Sequence, residues 1–489
     1  MGAGEMGRAL VGPIRTTGIR VIGQVAASAH RALADARPAV FWSDRTDAPA
    51  LRPRLTGTTE ADLVIIGGGF TGLWAAMFAT AQPGRRVVVL EAARIGHGAS
   101  SRNGGFCDSS LTHGLHNGAS HWPDELDALV RMGNENHDEL LATLADEGID
   151  AAVERAGELT VATERWHLSD LAEGQELHHR YGDDVALLDA ATTRARLASP
   201  TYLGGLLRRN GVALVDPARL AWGLADVVGR RGAAVHDSSA VTAVEPDRRR
   251  LVVHTAAGRV RTDRVIMATN AYPGPVRRPR RYVVPVYDYV LVTEPLTSVQ
   301  RSELGWEHRD GVTDAGNQFH YYRLIGDDRI LWGGYDAVYH FGNRVDPALD
   351  QRDATQLRLA EHFLTTFPQL EGIRFSHRWG GAIATTTRFT ATWGTAHDRR
   401  LAWVAGYTGL GVAASRFGAR VALDLVDGQE TERTALSMVR TTPFPFPPEP
   451  LRWAGVELTR RAIARADRRG GRRGPWLSLL DRFGIGFDS

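Results

Sequence analysis

The sequence predicts an α/β protein in which a Rossmann-like nucleotide-binding part is joined to a strand-rich second part. Three observations carry this. An apolar run, Leu63-Val64-Ile65-Ile66, breaks into Gly67-Gly68-Gly69-Phe70-Thr71-Gly72 and passes straight into a helical pattern. A second buried run, Val87-Val88-Val89-Leu90, ends in the acid Glu91. From Tyr282 to Trp393 the chain is then dense in alternating runs such as Val284-Pro285-Val286-Tyr287-Asp288-Tyr289-Val290.

The glycines of the first turn have separate duties. Gly67 permits the tight bend, Gly69 lets backbone approach a pyrophosphate, and Gly72 lets the helix sit close on its strand. Phe70 and Thr71 open that helix, whose unpaired N–H groups and positive dipole end favour phosphate. Glu91 falls where a carboxylate binds a ribose hydroxyl, and an acid there disfavours an NADP-type 2′-phosphate.

A second glycine-rich loop follows: Arg94-Ile95-Gly96-His97-Gly98-Ala99-Ser100-Ser101-Arg102-Asn103-Gly104-Gly105. The segment EAARIGHGASSRNGG resembles the corresponding stretch of the D-amino-acid-oxidase-like (DAO) superfamily of FAD-dependent oxidoreductases, most closely the gamma-glutamylputrescine oxidoreductase branch. The resemblance runs in order from about Phe41 to Gly428 and leaves both termini unexplained.

What the resemblance implies is FAD, held by a discontinuous Rossmann-like domain, with a substrate domain built on a mainly antiparallel β-sheet with helices roofing the flavin. The expected FAD-binding domain takes residues 61–115, 205–275 and 398–430, and the substrate domain 116–204 and 276–397. Residues 1–60 form an N-terminal extension, and 431–489 a Pro-rich and Arg-rich C-terminal arm. Expected FAD contacts are Gly67, Gly69, Phe70, Thr71, Gly72, Glu91, Arg94, Ser101, Arg102, Asn103, Gly104, Gly105, Val244 beside the adenine, and Gly406, Thr408, Gly409, Leu410 and Gly411. The last group would aim backbone N–H groups at the flavin's pyrimidine end, where negative charge develops on reduction. Asn270 stands where the family often has glycine, and Leu410 where it has histidine.

Composition narrows the chemistry. All 58 basic residues of the 489 are arginine, which excludes a lysine Schiff base and a phosphate-loop lysine. A net charge of +2 offers no case for nucleic acid. One cysteine, Cys107, rules out an intrachain disulfide and suits a reducing compartment. With no apolar stretch fit to span a bilayer and no secretory signal, a cytoplasmic location is expected. No serine sits in a nucleophile elbow, and the 17 histidines lack metal-ligand spacing, so no metal is expected.

The termini read as arms. Ile22, Val25, Ala29 and Leu33 share a helical face, and an extension packing on the body or another subunit is preferred to a targeting or membrane-surface segment. Seven arginines lie between Arg460 and Arg473; a solvated arm or a subunit contact is preferred to attachment to an anionic membrane, and oligomerisation is left open.

By resemblance the substrate is a small amine or N-substituted amino acid whose C–N bond is oxidised by hydride transfer to flavin N5, followed by imine hydrolysis. Oxygen or another acceptor would complete the cycle. Candidate pocket residues are Tyr287, Tyr289, His320, Tyr322, Arg323, Trp332, Tyr335 and Trp393. Tyr322-Arg323 and His320 are the leading substrate contacts, because an arginine fork suits a carboxylate; the competing reading of Arg323 is a structural ion pair. Non-covalent FAD is preferred, with Cys107 and His97 the only nearby attachment points. A flavin monooxygenase and a non-catalytic flavoprotein subunit are the alternatives.

Overall fold

The computed structural model describes residues 14–485, with side chains from Gln24 onward. Among these residues the chain builds two large sheets. The first runs Thr392–Ala396, Leu401–Ala405, Gly258–Met267, Gly57–Ile66, Val87–Leu90, Ala234–His236, and a hairpin of Val241–Asp247 and Arg250–Thr255 extends it from Gly258–Met267. Its central pairings are parallel.

Alternation along Gly57–Ile66 explains its two covers. Leu63 and Ile65 point into a core with the helices Phe70–Thr80, Leu126–Asp146, Pro217–Arg230 and Gly411–Asp427. Val64 and Ile66 face the other way, onto Leu251, Val253 and Trp403. The helix Leu126–Asp146, expected in the substrate domain, therefore buries Leu129, Leu140 and Leu144 in the core of the nucleotide sheet. Asp216 starts Pro217–Arg230 by accepting the N–H groups of Ala218 and Arg219 at 3.0 Å each.

The second sheet has nine strands, and all its pairings are antiparallel except that of Gly311–Asp314 with Glu158–Ala162. On its outer face Tyr289, Leu291, Tyr322, Leu324 and Trp332 pack with Leu359 and Phe363 of the helix Asp353–Thr366. On its inner face Val290, Val292, Ile325 and Leu331 join the core of the nucleotide part. Gly204–Arg208 belongs to this sheet, whereas Thr392–Ala396 pairs with Leu401–Ala405 in the first sheet. Trp393 is consequently no part of the roof; its indole N–H donates to Gly418 O at 3.2 Å.

The N-terminal helix Ile14–Leu33 lies against Asp353–Thr366, with Ala29 and Ala32 buried. Of the apolar stripe read from the sequence, the side chain of Ile22 falls outside the described residues. Beyond this helix, Arg37 adds a short parallel bridge to the strand Phe375–Thr385, and Arg45 pairs with Asp216 at 2.9 Å. The extension thus spans both sheets. No described helix is long and apolar enough to cross a membrane.

Candidate functional site

A cavity of about 990 Å³ runs between the two sheets. That is the upper end of the small-molecule range, as a large cofactor plus a substrate requires. Its floor begins at Gly67, Gly69, Phe70 and Thr71, where first-turn N–H groups of the helix Phe70–Thr80 have no partner within the helix. The turn tolerates only glycine: a Cβ on Gly67 would lie 2.7 Å from Ala268 O, and one on Gly72 only 1.9 Å from Gly67 O. Gly72 is thus behind the wall, holding helix to strand.

Glu91 lines the next stretch. Its carboxylate accepts the N–H of Gly68 at 2.7 Å and of Ala93 at 2.9 Å, which leaves a second lone pair on each oxygen for ribose hydroxyls. Burial raises its pKa against the pull of those two hydrogen bonds. Ala240 and Val241 form the adjoining wall; Val244 does not, because it sits farther along the strand, opposite Val253.

The second glycine loop lies against the second sheet, at Trp379 and Gly380. His97, Gly98, Ala99, Ser100, Arg102, Asn103 and Gly104 line the cavity. Ser100, absent from the expected contacts, accepts the N–H of Phe70 at 2.8 Å and so locks loop to helix. Trp42 and Trp379 donate their indole N–H groups to Asn103 O at 2.9 Å and Arg102 O at 3.0 Å. Arg102 bonds Asp350 at 2.6 Å and Gly380 O at 2.9 Å. Three expected contacts of this segment stay behind the wall. Arg94 donates to Pro49 O at 2.7 Å, Ser101 is buried, and a Cβ on Gly105 would strike Val215 O.

A second helix N-terminus closes the far end, where Thr408, Gly409, Leu410 and Gly411 lead into Gly411–Asp427. Gly406 serves the turn rather than the wall: its N–H donates to Asn270 Oδ1 at 3.1 Å, and Asn270 sits at φ +49°. That bond accounts for asparagine where glycine is common. His113 Nε2 meets Thr408 O at 2.9 Å; burial lowers its pKa, so the neutral ring donates.

The roof turns the leading substrate candidates away from the cavity. Strand alternation along His320–Ile325 sends His320 and Tyr322 to the outer face. Tyr322 Oη bonds Tyr202 Oη at 2.7 Å, and His320 lies 2.6 Å from Asp314 and 3.0 Å from His362. Arg323 faces inward yet never reaches the cavity, for it donates to Val215 O at 2.9 Å and pairs with Glu154 at 3.5 Å. Arg323 thus makes the structural ion pair rather than an open fork. Tyr289 and Trp332 are likewise enclosed, while Tyr287 and Tyr335 do line the cavity.

Of the strand His320–Ile325, Tyr321 is the residue that lines the cavity. Two glycines make its slot, since a Cβ on Gly104 would lie 2.8 Å, and one on Gly333 2.6 Å, from its ring. Its hydroxyl donates to Asp288 Oδ2 at 2.5 Å. Burial pushes the Asp288 carboxyl up to about 6, opposed first by that hydrogen bond, and lifts the Tyr321 phenol well above its ordinary value. The two-residue period of a strand carries this signal, because it sets Tyr321 and Tyr322 on opposite faces.

The C-terminal arm is not a solvated tail. Phe444 to Pro447, the inner face of the helix Leu451–Asp467, and Trp476 and Leu480 of Pro475–Arg482 wall one side of the cavity. Cys107 is fully buried in the core, where desolvation keeps its thiol protonated.

A long cavity that opens on two helix N-termini, passes a ribose-type acid and runs under an antiparallel roof defines a dinucleotide-dependent oxidoreductase. Its glycine cradle and donor set fit FAD. The chain matches the family model described as FAD dependent oxidoreductase (DAO) over residues 62–425, and it belongs to that family. It is 34% identical over 406 residues to gamma-glutamylputrescine oxidoreductase of Escherichia coli (strain K12), covering 80% of this chain and 89% of that one. The fold is similar to glycine oxidase of Geobacillus kaustophilus, with TM-score 0.64, 21% identity, and coverage of 78% and 99%. It is also similar to iminodiacetate oxidase of Chelativorans sp. BNC1, with TM-score 0.61, 20% identity, and coverage of 78% and 98%.

Proposed function

We propose that this FAD-dependent oxidoreductase oxidises the C–N bond of a small amine, with Tyr321 and Asp288 orienting the nitrogen. The observation that carries the reading is the Tyr321–Asp288 pair, a buried carboxylate with a phenol directed into the cavity. The relatives named above, whose names specify a γ-glutamyl amine, glycine and iminodiacetate, support the choice of a C–N bond.

The substrate arrives as an ammonium ion. Because Tyr321 spends its own proton on Asp288, its oxygen offers lone pairs to the ammonium N–H, and the carboxylate behind it supplies the counter-charge. A carboxyl raised to about 6 is a better base than an ordinary one. The ammonium proton passes to Tyr321 Oη as the phenolic proton moves to Asp288 Oδ2, which leaves a neutral amine with a free lone pair. Bound FAD supplies a two-electron acceptor for the hydride of the carbon next to nitrogen. Hydrolysis of the oxidised C–N bond by water would then release a carbonyl compound and the amine fragment.

The protein's part is orientation in a cavity closed by the C-terminal arm. FAD is held without a covalent bond: Cys107 is enclosed, and burial keeps its thiol protonated.

The test is product analysis. Holoprotein is incubated with polyamines, γ-glutamyl amines and N-methyl amino acids, in air and with an artificial acceptor. A carbonyl product stoichiometric with released amine is expected; turnover confined to NADPH oxidation would sink the proposal.

A further inference from the structure

The arm formed by residues 441–485 lies beyond the family match, which ends at 425. It is held to the body at separate points. Thr387 Oγ1 donates to Phe444 O at 2.9 Å, and Phe446 N to Arg281 O at 2.8 Å. Asp467 accepts from Asn317 Nδ2 at 2.6 Å and from Gln318 N at 3.0 Å. The indole N–H of Trp476 ties the second helix to the first through Thr459 Oγ1 at 3.0 Å. These bonds fix which way the helices Leu451–Asp467 and Pro475–Arg482 face: Val456, Ile463, Trp476 and Leu480 look into the cavity.

The outer faces carry apolar side chains that nothing covers. On the first helix Leu451, Ala454, Leu458, Arg461 and Arg465, continued by Arg468, stand three and four residues apart and form one exposed stripe on the side away from the cavity. Leu451 is 65% exposed, and Leu458 and the flanking Trp453 are exposed as well. On the second helix Leu479 and Phe483, four apart, do the same, Phe483 at 62%. Charge is equally uneven, for residues 441–485 hold nine arginines and four acids in a chain of net charge +2. The acids are all engaged: Glu449 with Tyr339 and Gly342, Glu457 with Arg460 and Arg461, Asp467 with Asn317 and Gln318, Asp481 with Arg473. Arg465, Arg468, Arg469 and Arg472 have no ion-pair partner among the described residues. Beside the arm's other end, where Phe446 meets Arg281, the 3-10 turn Arg278–Arg281 exposes Arg278, Arg280 and Arg281, likewise in no ion pair. Basic groups therefore flank the apolar patch at both ends of a 17-residue helix, about 25 Å long.

We propose that the outer face of the arm docks on an anionic phospholipid bilayer, with Leu451, Trp453, Leu458, Leu479 and Phe483 entering the headgroup region and the flanking arginines meeting lipid phosphates. Both halves of the face gain there: the apolar side chains leave water, and each arginine enters the negative potential of the surface. A second copy of the chain fits less well, because in a twofold contact the basic stripe would face itself. A polynucleotide would pair with the arginines but leave the leucines and Phe483 in water. Attachment is peripheral, as no described helix is long and apolar enough to cross a membrane. The arm is thus two-sided, with the cavity wall on one side and the bilayer contact on the other.

The experiment sediments full-length holoprotein with vesicles of phosphatidylcholine alone, or of phosphatidylcholine mixed with phosphatidylglycerol, at low and high salt. Its mass in solution is measured without lipid. Wild type should bind the mixed vesicles at low salt, on the order of tenfold more tightly than phosphatidylcholine alone, and lose most of that preference at high salt. Two variants separate the contributions: Arg465→Gln with Arg468→Gln, Arg469→Gln and Arg472→Gln, and Leu451→Ser with Leu458→Ser and Leu479→Ser. Each should weaken binding on the order of tenfold or more, with flavin absorbance showing that the fold is intact. No binding by wild type, or equal binding to both vesicle types, overturns the proposal. So does a serine variant that binds as well as wild type, which would make the face a site for any polyanion. A drop in the solution mass of either variant would instead assign the face to contact between copies of the chain, and would also overturn it. None of these readouts depends on which amine is oxidised.

Discussion

Tyr321 reaches over Gly333 to donate a 2.5 Å hydrogen bond to Asp288, two strands away on the same sheet, and this pair is the polar centre of the cavity roof. Removing the hydroxyl tests it. Tyr321→Phe keeps the ring in its glycine slot but breaks the path from the substrate nitrogen to Asp288. The expected loss is on the order of a hundredfold in kcat/KM with flavin content unchanged, read by stopped-flow reduction.

Asp288 supplies the pH dependence. Its carboxyl is raised to about 6 by burial, and the active form is the anion, so kcat/KM should rise as pH increases through about 6. Folding favours the protonated form of such a group. The same carboxyl therefore lowers stability as pH rises from about 4 to about 6, the opposite of a salt-bridged aspartate. Asp288→Asn should remove this limb of the rate profile and flatten stability across that window, checked by pH–rate curves and thermal melts.

Arg323 belongs to the framework. Replacing it with Met strips Val215 O of its donor and breaks the pair with Glu154, at an expected cost of about 2–4 kcal/mol. KM of the folded fraction should stay at the wild-type value, whereas a substrate contact would lose affinity first. Chemical denaturation alongside initial rates separates the two.

Gly72 sets the close approach of helix to strand. Its replacement by alanine drives a methyl group against Gly67 O, displacing the turn that faces the pyrophosphate. Gly72→Ala should purify colourless and fail to take up added FAD, as followed by its visible spectrum.

Cys107 is enclosed in the core of the first sheet and its helices. Acid precipitation of the holoprotein should release all of the FAD into the supernatant, and Cys107→Ser should carry the same flavin content as wild type.

The nucleotide half is legible in the sequence because its demands are backbone demands. Gly67 at φ +108° and Gly72 against Gly67 O admit no other residue, and the acid at Glu91 follows its strand at a fixed distance. The roof is less legible because the question there is which face of a strand looks down. A shift of one residue exchanges Tyr322 for Tyr321 with no change in local composition. The arm carries no local signal at all. Its position depends on tertiary bonds from Glu449 and Asp467 to loops far back in the chain, and proline-rich and arginine-rich sequence reads as solvated until those partners are known. The same limit applies to Trp393, since either sheet accepts an alternating strand.

The most direct measurement mixes oxidised holoprotein anaerobically with amines and follows the yellow flavin band. The account predicts that at least one small amine bleaches it, with a rate that saturates in amine and increases with pH through about 6. A band that stays oxidised with every amine, while dithionite removes it at once, would contradict the account.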